Sequence, residues 1–315
     1  MLRLLRLLAI PLLLQAANAR YLPQVDQQLR LETKHCTPAN IANVVVFGDS
    51  ISDTGNVYNL TKGAWPRPSL YPDGRFTNGH VWTDYVSQER QFNLINFAHG
   101  GATTDSKVVQ GYSGSNADIP VPGFIQQIES YSRQPLDPAS TMFVVNFQGN
   151  DFIFDPSIGS EKVLANIERG IHGLVKLGAR HIFVIENFDM GLIPYFQTQS
   201  REMSALSKKQ HDEYQDMIQR MNQAYGRPHH SKPFSNCPGG RRKTNVAFFD
   251  LYTLLQRLNH PRRLKHIGIR DVVHACVNSD YSSRCRHPDR HYYYDMFHFS
   301  TKIHRQIANG ILKML

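Results

Sequence analysis

Short, mostly apolar runs alternate along this chain with longer stretches in which apolar residues recur every three or four positions. The runs are Val44–Phe47, Phe92–Ala98, Thr141–Phe147, His181–Ile185 and Val246–Phe249. Val44–Phe47, unbroken and bounded by turn residues, predicts a buried parallel strand, and the other four read as further strands. Helical spacing fills the intervals: Val81–Arg90, Pro122–Arg133, Glu161–Leu177, Ser200–Tyr225, Leu251–Leu258 and Ser300–Leu312. The clearest is Glu161–Leu177, where Val163, Leu164, Ile167, Ile171, Leu174 and Val175 form one stripe and Gly178 supplies a stop. Ser200 reads as the cap that opens the long fourth helix. Thr61–Gly79, rich in Pro, Gly and Tyr, reads as a long loop. Strands alternating with helices predict one α/β domain, a three-layer α/β/α sandwich around a five-stranded parallel sheet. No internal repeat or interdomain linker interrupts the pattern.

The amino-terminal end departs from it. Arg3 and Arg6 precede a leucine-rich stretch, Leu7 to Leu14, and Ala17-Asn18-Ala19 has the small-x-small cleavage pattern. Residues 1–19 therefore read as a secretory signal peptide, too short to span a bilayer, followed by a polar extension over 20–40 and the domain over 41–315. A secreted, extracellular, monomeric protein is expected, with no stable membrane insertion. The chain's 315 residues, 41% hydrophobic and 19% charged, suffice for a large core and exclude disorder. The net charge of +9 becomes +7 once Arg3 and Arg6 leave with the leader. Basic clusters such as Arg262-Arg263-Leu264-Lys265-His266 favour an anionic surface as partner. Without a basic stripe interleaved with aromatics, nucleic acid is not expected. The absence of CxxC and HExxH patterns argues against zinc, and no metal or other cofactor is expected.

The first apolar run feeds directly into Gly48-Asp49-Ser50-Ile51-Ser52-Asp53. A serine in a turn at the carboxyl edge of a parallel sheet stands where open α/β folds build their sites. About 245 residues later comes Asp295-Met296-Phe297-His298, an aspartate and a histidine close enough for the carboxylate to orient the imidazole. Ser50, His298 and Asp295 thus form a candidate nucleophile, base and orienting acid. No G-x-S-x-G elbow surrounds Ser50, which disfavours the larger α/β-hydrolase architecture. Asp49, adjacent to the serine, reads as a turn-fixing residue, as do Asp53, Thr54, Asn56 and Asp151.

FGDSISDTGN, NFAHGGATTDS, GND and DMFH, in that order, resemble the four sequence blocks of the GDSL esterase/lipase family, the SGNH hydrolases. GRFTNG and GGATTDS are most similar to fungal secreted carbohydrate acetylesterases. The resemblance covers residues 43–315 and implies a flavodoxin-like fold and ester hydrolysis through an acyl-enzyme. It also implies an oxyanion hole made by the Ser50 and Gly101 backbone N–H groups and the Asn150 side chain, with Gly100 as the adjacent alternative to Gly101. Two departures stand out. The third block reads Gln148-Gly149-Asn150-Asp151, its glycine one place late, and His298 is followed by Phe299-Ser300 rather than proline, leaving Ser300 to cap the last helix.

Four cysteines allow three pairings. The family commonly carries a bridge just before its last block, which implies Cys276–Cys285 and leaves Cys36–Cys237. Asn59-Leu60-Thr61 is a glycosylation sequon on a predicted surface loop. Trp65, Tyr71 and Trp82 are candidates for stacking on sugar rings or, equally, core residues. The leading expectation is an esterase acting on short-chain (acetyl) esters of small molecules or polysaccharides. The alternatives are a phospholipase or lipase and a non-catalytic protein that binds anionic polymer.

Overall fold

The computed structural model describes residues 37–38, 40–147, 149–225, 235–236 and 244–315. The expected leader, nearly all of the expected 20–40 extension and the expected Cys36–Cys237 pair lie outside the described residues. Five strands form the central sheet: β1 (Asn43–Gly48), β2 (Asn93–Asn96), β3 (Thr141–Asn146), β4 (His181–Ile185) and β5 (Asn245–Phe249). Their order is β2-β1-β3-β4-β5 and every pairing is parallel. β1, β3 and β4 are buried because helices cover both sheet faces, Val45, Val46 and Phe47 fully so, whereas the edge strand β2 is only partly covered.

The helices are α1 (Asn56–Leu60), α2 (Trp82–Arg90), α3 (Phe124–Tyr131), α4 (Asn150–Phe154), α5 (Ser160–Lys176), α6 (Ser200–Ala224), α7 (Leu251–Leu258), α8 (Pro261–Ile267) and α9 (Thr301–Leu312). α2 packs on α9 and α9 on α7; α3 packs on α5 and α5 on α6. These two sets form the outer layers, so the predicted three-layer α/β fold is the observed one. All five strands and the six longer helices fall where hydrophobic spacing put them. The short α1, α4 and α8 and the hairpin Gly111–Ser113/Ile119–Val121 were missed. Each is under two or three turns or strand steps long, too short for a period to declare itself.

Two capping expectations need correction. Ser200 does not cap α6: the cap position is Gln199, without a side-chain bond, and the 3₁₀-helix Pro194–Gln199 runs straight into it. Ser300 occupies the cap position of α9, yet its hydroxyl makes no capping bond. The Asn78 side-chain Oδ1 instead accepts from Thr301 N–H at 2.9 Å, so the Thr61–Gly79 loop caps the closing helix. Asn59, expected on a loop, is exposed on α1. Among the described residues, no helix is long and apolar enough to cross a membrane.

Candidate active site

The turn after β1 is held from several sides. Asp49 Oδ1 accepts from Ile51 N–H at 3.0 Å. The buried Asp53 accepts from Gly55 (2.8 Å), Asn56 (2.6 Å) and Val57 (3.2 Å) N–H groups. Gln127 on α3 closes the turn's root, accepting from Gly48 N–H and donating to Gly48 O. A hydroxyl on so constrained a turn is positioned without a costly search of backbone states. Asp49 and Asp53 thus do the turn-fixing expected of them.

Ser50 Oγ lies 2.8 Å from His298 Nε2, and both His298 Nδ1 to Asp295 oxygen distances are 2.7 Å. All three groups are buried, with Ser50 and His298 8% and 9% exposed. The Asp295-x-x-His298 segment is a local turn, because Asp295 Oδ1 also accepts from Phe297 and His298 N–H groups. Burial works against charge on Asp295, but His298, Tyr71 and the Phe297 N–H outweigh it and hold the carboxyl below its ordinary range. An ionised carboxylate only accepts, so His298 must carry its proton on Nδ1. Nε2 is then a lone pair facing the Ser50 hydroxyl.

The structure ties the second and third sequence blocks to this turn. Gly100 N–H donates to Asp53 Oδ2 at 2.9 Å, which takes it out of the choice between Gly100 and Gly101. Gly101 stands at φ +85°, and a Cβ there would lie 2.0 Å from the Tyr112 carbonyl oxygen. The hairpin backbone therefore requires glycine. Asn150 Nδ2 donates to Ala102 O at 2.9 Å, and an amide NH₂ keeps a second hydrogen for another acceptor. Asp151 is more than a turn residue: it accepts from Thr104 N–H and from the Thr104 hydroxyl at 2.6 Å, clamping the third block to the second. The displaced glycine of that block also has its reason. Gly149, at φ +91°, starts α4 where a Cβ would lie 2.3 Å from Met190 Sδ.

The three aromatic candidates separate. Trp82 is 2% exposed, its indole N–H donating to Ser52 Oγ at 3.0 Å; it is a core residue and presents no face to a sugar. Tyr71, 1% exposed, cannot stack on a ligand either, and its hydroxyl donates to Asp295 Oδ2 at 2.7 Å. Trp65 is half-buried, edge-on to Tyr281 at 5.0 Å. Tyr281 belongs to the loop closed by the Cys276–Cys285 disulfide, which is formed. A tyrosine bonded to the acid was not legible beforehand, because Tyr71 and Asp295 are 224 positions apart.

Among the described residues one trio of metal-ligating side chains converges, Glu186, His211 and Asp250, with ligand atoms within 4.8 Å of one another. Burial and the Asp250 carboxylate push Glu186 up to about 10, so it holds a proton at neutral pH and shares it with Asp250. His211 Nδ1 lies 2.9 Å from Glu186 Oε2. Neighbours complete the bonding: Gln215 at His211 Nε2, and the Tyr252 and Thr253 N–H groups, which donate to Glu186 and Asp250.

A family model described as GDSL-like Lipase/Acylhydrolase matches residues 44–311. The thermolabile hemolysin of Vibrio parahaemolyticus is 25% identical over 295 residues, covering 88% of this chain and 64% of that protein. The phosphatidylcholine-sterol acyltransferase of Aeromonas hydrophila is 28% identical over 181 residues, 54% of this chain and 51% of that one. The chain thus spans about half to two thirds of the length of these curated relatives. Among solved structures, a lipolytic protein of the G-D-S-L family from Veillonella parvula superposes with a TM-score of 0.47 at 12% identity, covering 86% of this chain and 96% of that one.

Proposed function

We propose that this chain, which belongs to the GDSL-like lipase/acylhydrolase family, is a carboxylic ester hydrolase with Ser50 as its nucleophile. The observation that carries this reading is the continuous line Ser50 Oγ–His298 Nε2, His298 Nδ1–Asp295, at 2.8 and 2.7 Å. As Ser50 attacks the ester carbonyl, its proton passes to His298 Nε2 while Asp295 stabilises the imidazolium. The charge on the former carbonyl oxygen is met by the Ser50 and Gly101 N–H groups and the second Asn150 amide hydrogen. His298 then protonates the departing alkoxide, leaving Ser50 acylated. Water, deprotonated by the same imidazole, releases the acid and restores the hydroxyl.

For the ester itself we favour short-chain acetyl groups on carbohydrate, in a secreted protein whose leader is residues 1–19 and whose Asn59 carries a glycan. GRFTNG and GGATTDS support the acyl preference, and the exposed position of Asn59 supports modification. A second reading, lipid esters, is favoured by the names of the hemolysin and acyltransferase relatives. A panel of p-nitrophenyl esters from C2 to C10, acetylated sugar and phosphatidylcholine liposomes decides between them. Preference for C2 with release of acetate from sugar supports the first; C10 preference with liposome hydrolysis supports the second. Turnover that survives Ser50→Ala would remove the serine mechanism from both.

A further inference from the structure

We infer that Tyr71 is a positioning residue that holds the catalytic acid in register and that the Cys276–Cys285 loop holds Tyr71. The inference rests on the proposed role of the Ser50–His298–Asp295 line.

An aspartate that orients a histidine must present one oxygen edge to Nδ1 and be unable to turn away. Oδ1 is fixed by its own turn, through the Phe297 and His298 N–H groups at 2.8 and 2.9 Å. Among the described residues Oδ2 has no backbone donor of that kind. Its anchor is the Tyr71 hydroxyl at 2.7 Å, a charge-assisted bond inside a water-poor site. Burial and the adjacent carboxylate push the Tyr71 phenol far above its usual value, so it keeps its proton and stays a donor throughout the working pH range.

Tyr71 is itself held by rings. Tyr294 meets it edge-on at 5.3 Å, and the Tyr294 hydroxyl donates to the neighbouring Leu70 carbonyl. Trp65 and Tyr281 lie 6.5 and 6.4 Å from it. Such edge and offset contacts fix ring orientation beyond what area burial does. Tyr281 is carried by the disulfide loop, and that loop pairs with the triad's own strand-like segment, Val277 N–H donating to Tyr294 O at 2.7 Å. Leu70, Tyr71, Cys276, Val277 and Tyr294 form a small buried cluster separate from the main core. A continuous path thus runs from the disulfide through the rings to Asp295, and none of its members has to touch substrate.

Tyr71→Phe tests this, because it removes one oxygen and leaves the ring packing. With wild type, Tyr71→Phe and Ser50→Ala on p-nitrophenyl acetate, kcat of Tyr71→Phe is expected to fall about tenfold at unchanged KM, with a melting temperature lowered by a few degrees because a buried carboxylate oxygen loses its donor. The acid limb of its kcat/KM profile is expected at higher pH, since Asp295 loses a donor that keeps its carboxyl low. A purely structural role would lower the melting temperature alone and leave kcat and the limb in place. Tyr281→Ala, which removes a ring of the path without touching Asp295, should lower kcat in the same direction. Turnover that depends on Ser50 but is unaltered in rate and pH profile by Tyr71→Phe overturns this inference alone. Turnover indifferent to Ser50→Ala overturns the reading beneath it as well.

Discussion

Replacing Gly101 by alanine should separate the contribution of the oxyanion site from that of the Ser50–His298–Asp295 line. The added Cβ would lie 2.0 Å from the Tyr112 carbonyl oxygen and 2.8 Å from its carbon. An ordinary carbon–oxygen contact is about 3.3 Å, so the two backbones must separate by about 1.3 Å. Neither partner is a flexible side chain: Tyr112 is in the hairpin paired to Ile119–Val121, and its carbonyl cannot swing away alone. The φ of +85° adds about 1–2 kcal/mol of strain for any residue with a Cβ, and overpacking adds about 1–3 kcal/mol. A misplacement of about 1 Å in a positioned group costs about 100-fold in rate. The expected result is a kcat on p-nitrophenyl acetate reduced about 100-fold, with KM little changed and a lowered melting temperature. Asn150→Ala provides the companion, since it removes a donor without moving backbone and should lower kcat about 10²–10³-fold with a smaller thermal effect. A folded Gly101→Ala enzyme with kcat within about threefold of wild type would refute the assignment of that N–H to the oxyanion.

Two buried carboxyls give predictions for stability against pH. Burial pushes Asp151 up to about 6, only partly offset by the bonds from Thr104. The native state keeps a proton that the unfolded chain releases near its ordinary value, so stability falls as pH rises from about 4 to 6. Asp151→Asn should flatten that part of the profile in denaturant titrations; an unchanged slope would show that the carboxyl titrates normally. Glu186, pushed up to about 10, should make the native state lose stability progressively from about pH 4.5 towards 10 by the same sign. Glu186→Gln keeps a donor for Asp250 and is expected to melt at or above wild type at pH 8, whereas a lower melting temperature would mean that the native carboxyl is ionised and paired.

The sequence by itself determined the sheet, the six longer covering helices and the choice of serine, histidine and aspartate that the fold brings within hydrogen-bond distance. Short apolar runs and 3.6-residue stripes are local records of burial. The turn around Ser50 is likewise local, since Asp49 and Asp53 bond to N–H groups within four positions of themselves. Tertiary structure decided everything that joins distant positions. Asp151 looked like a turn residue and is a clamp on Thr104. Tyr71 and Trp82 carried rings suited to a sugar, yet one supports Asp295 and the other lies in the core. The closing helix takes its cap from Asn78, 223 positions before Thr301, and not from the serine beside it. The physical reason is common to these cases: a side chain's polarity and shape limit what it can bond, but its partner is chosen by the fold that brings remote donors and acceptors within about 3 Å.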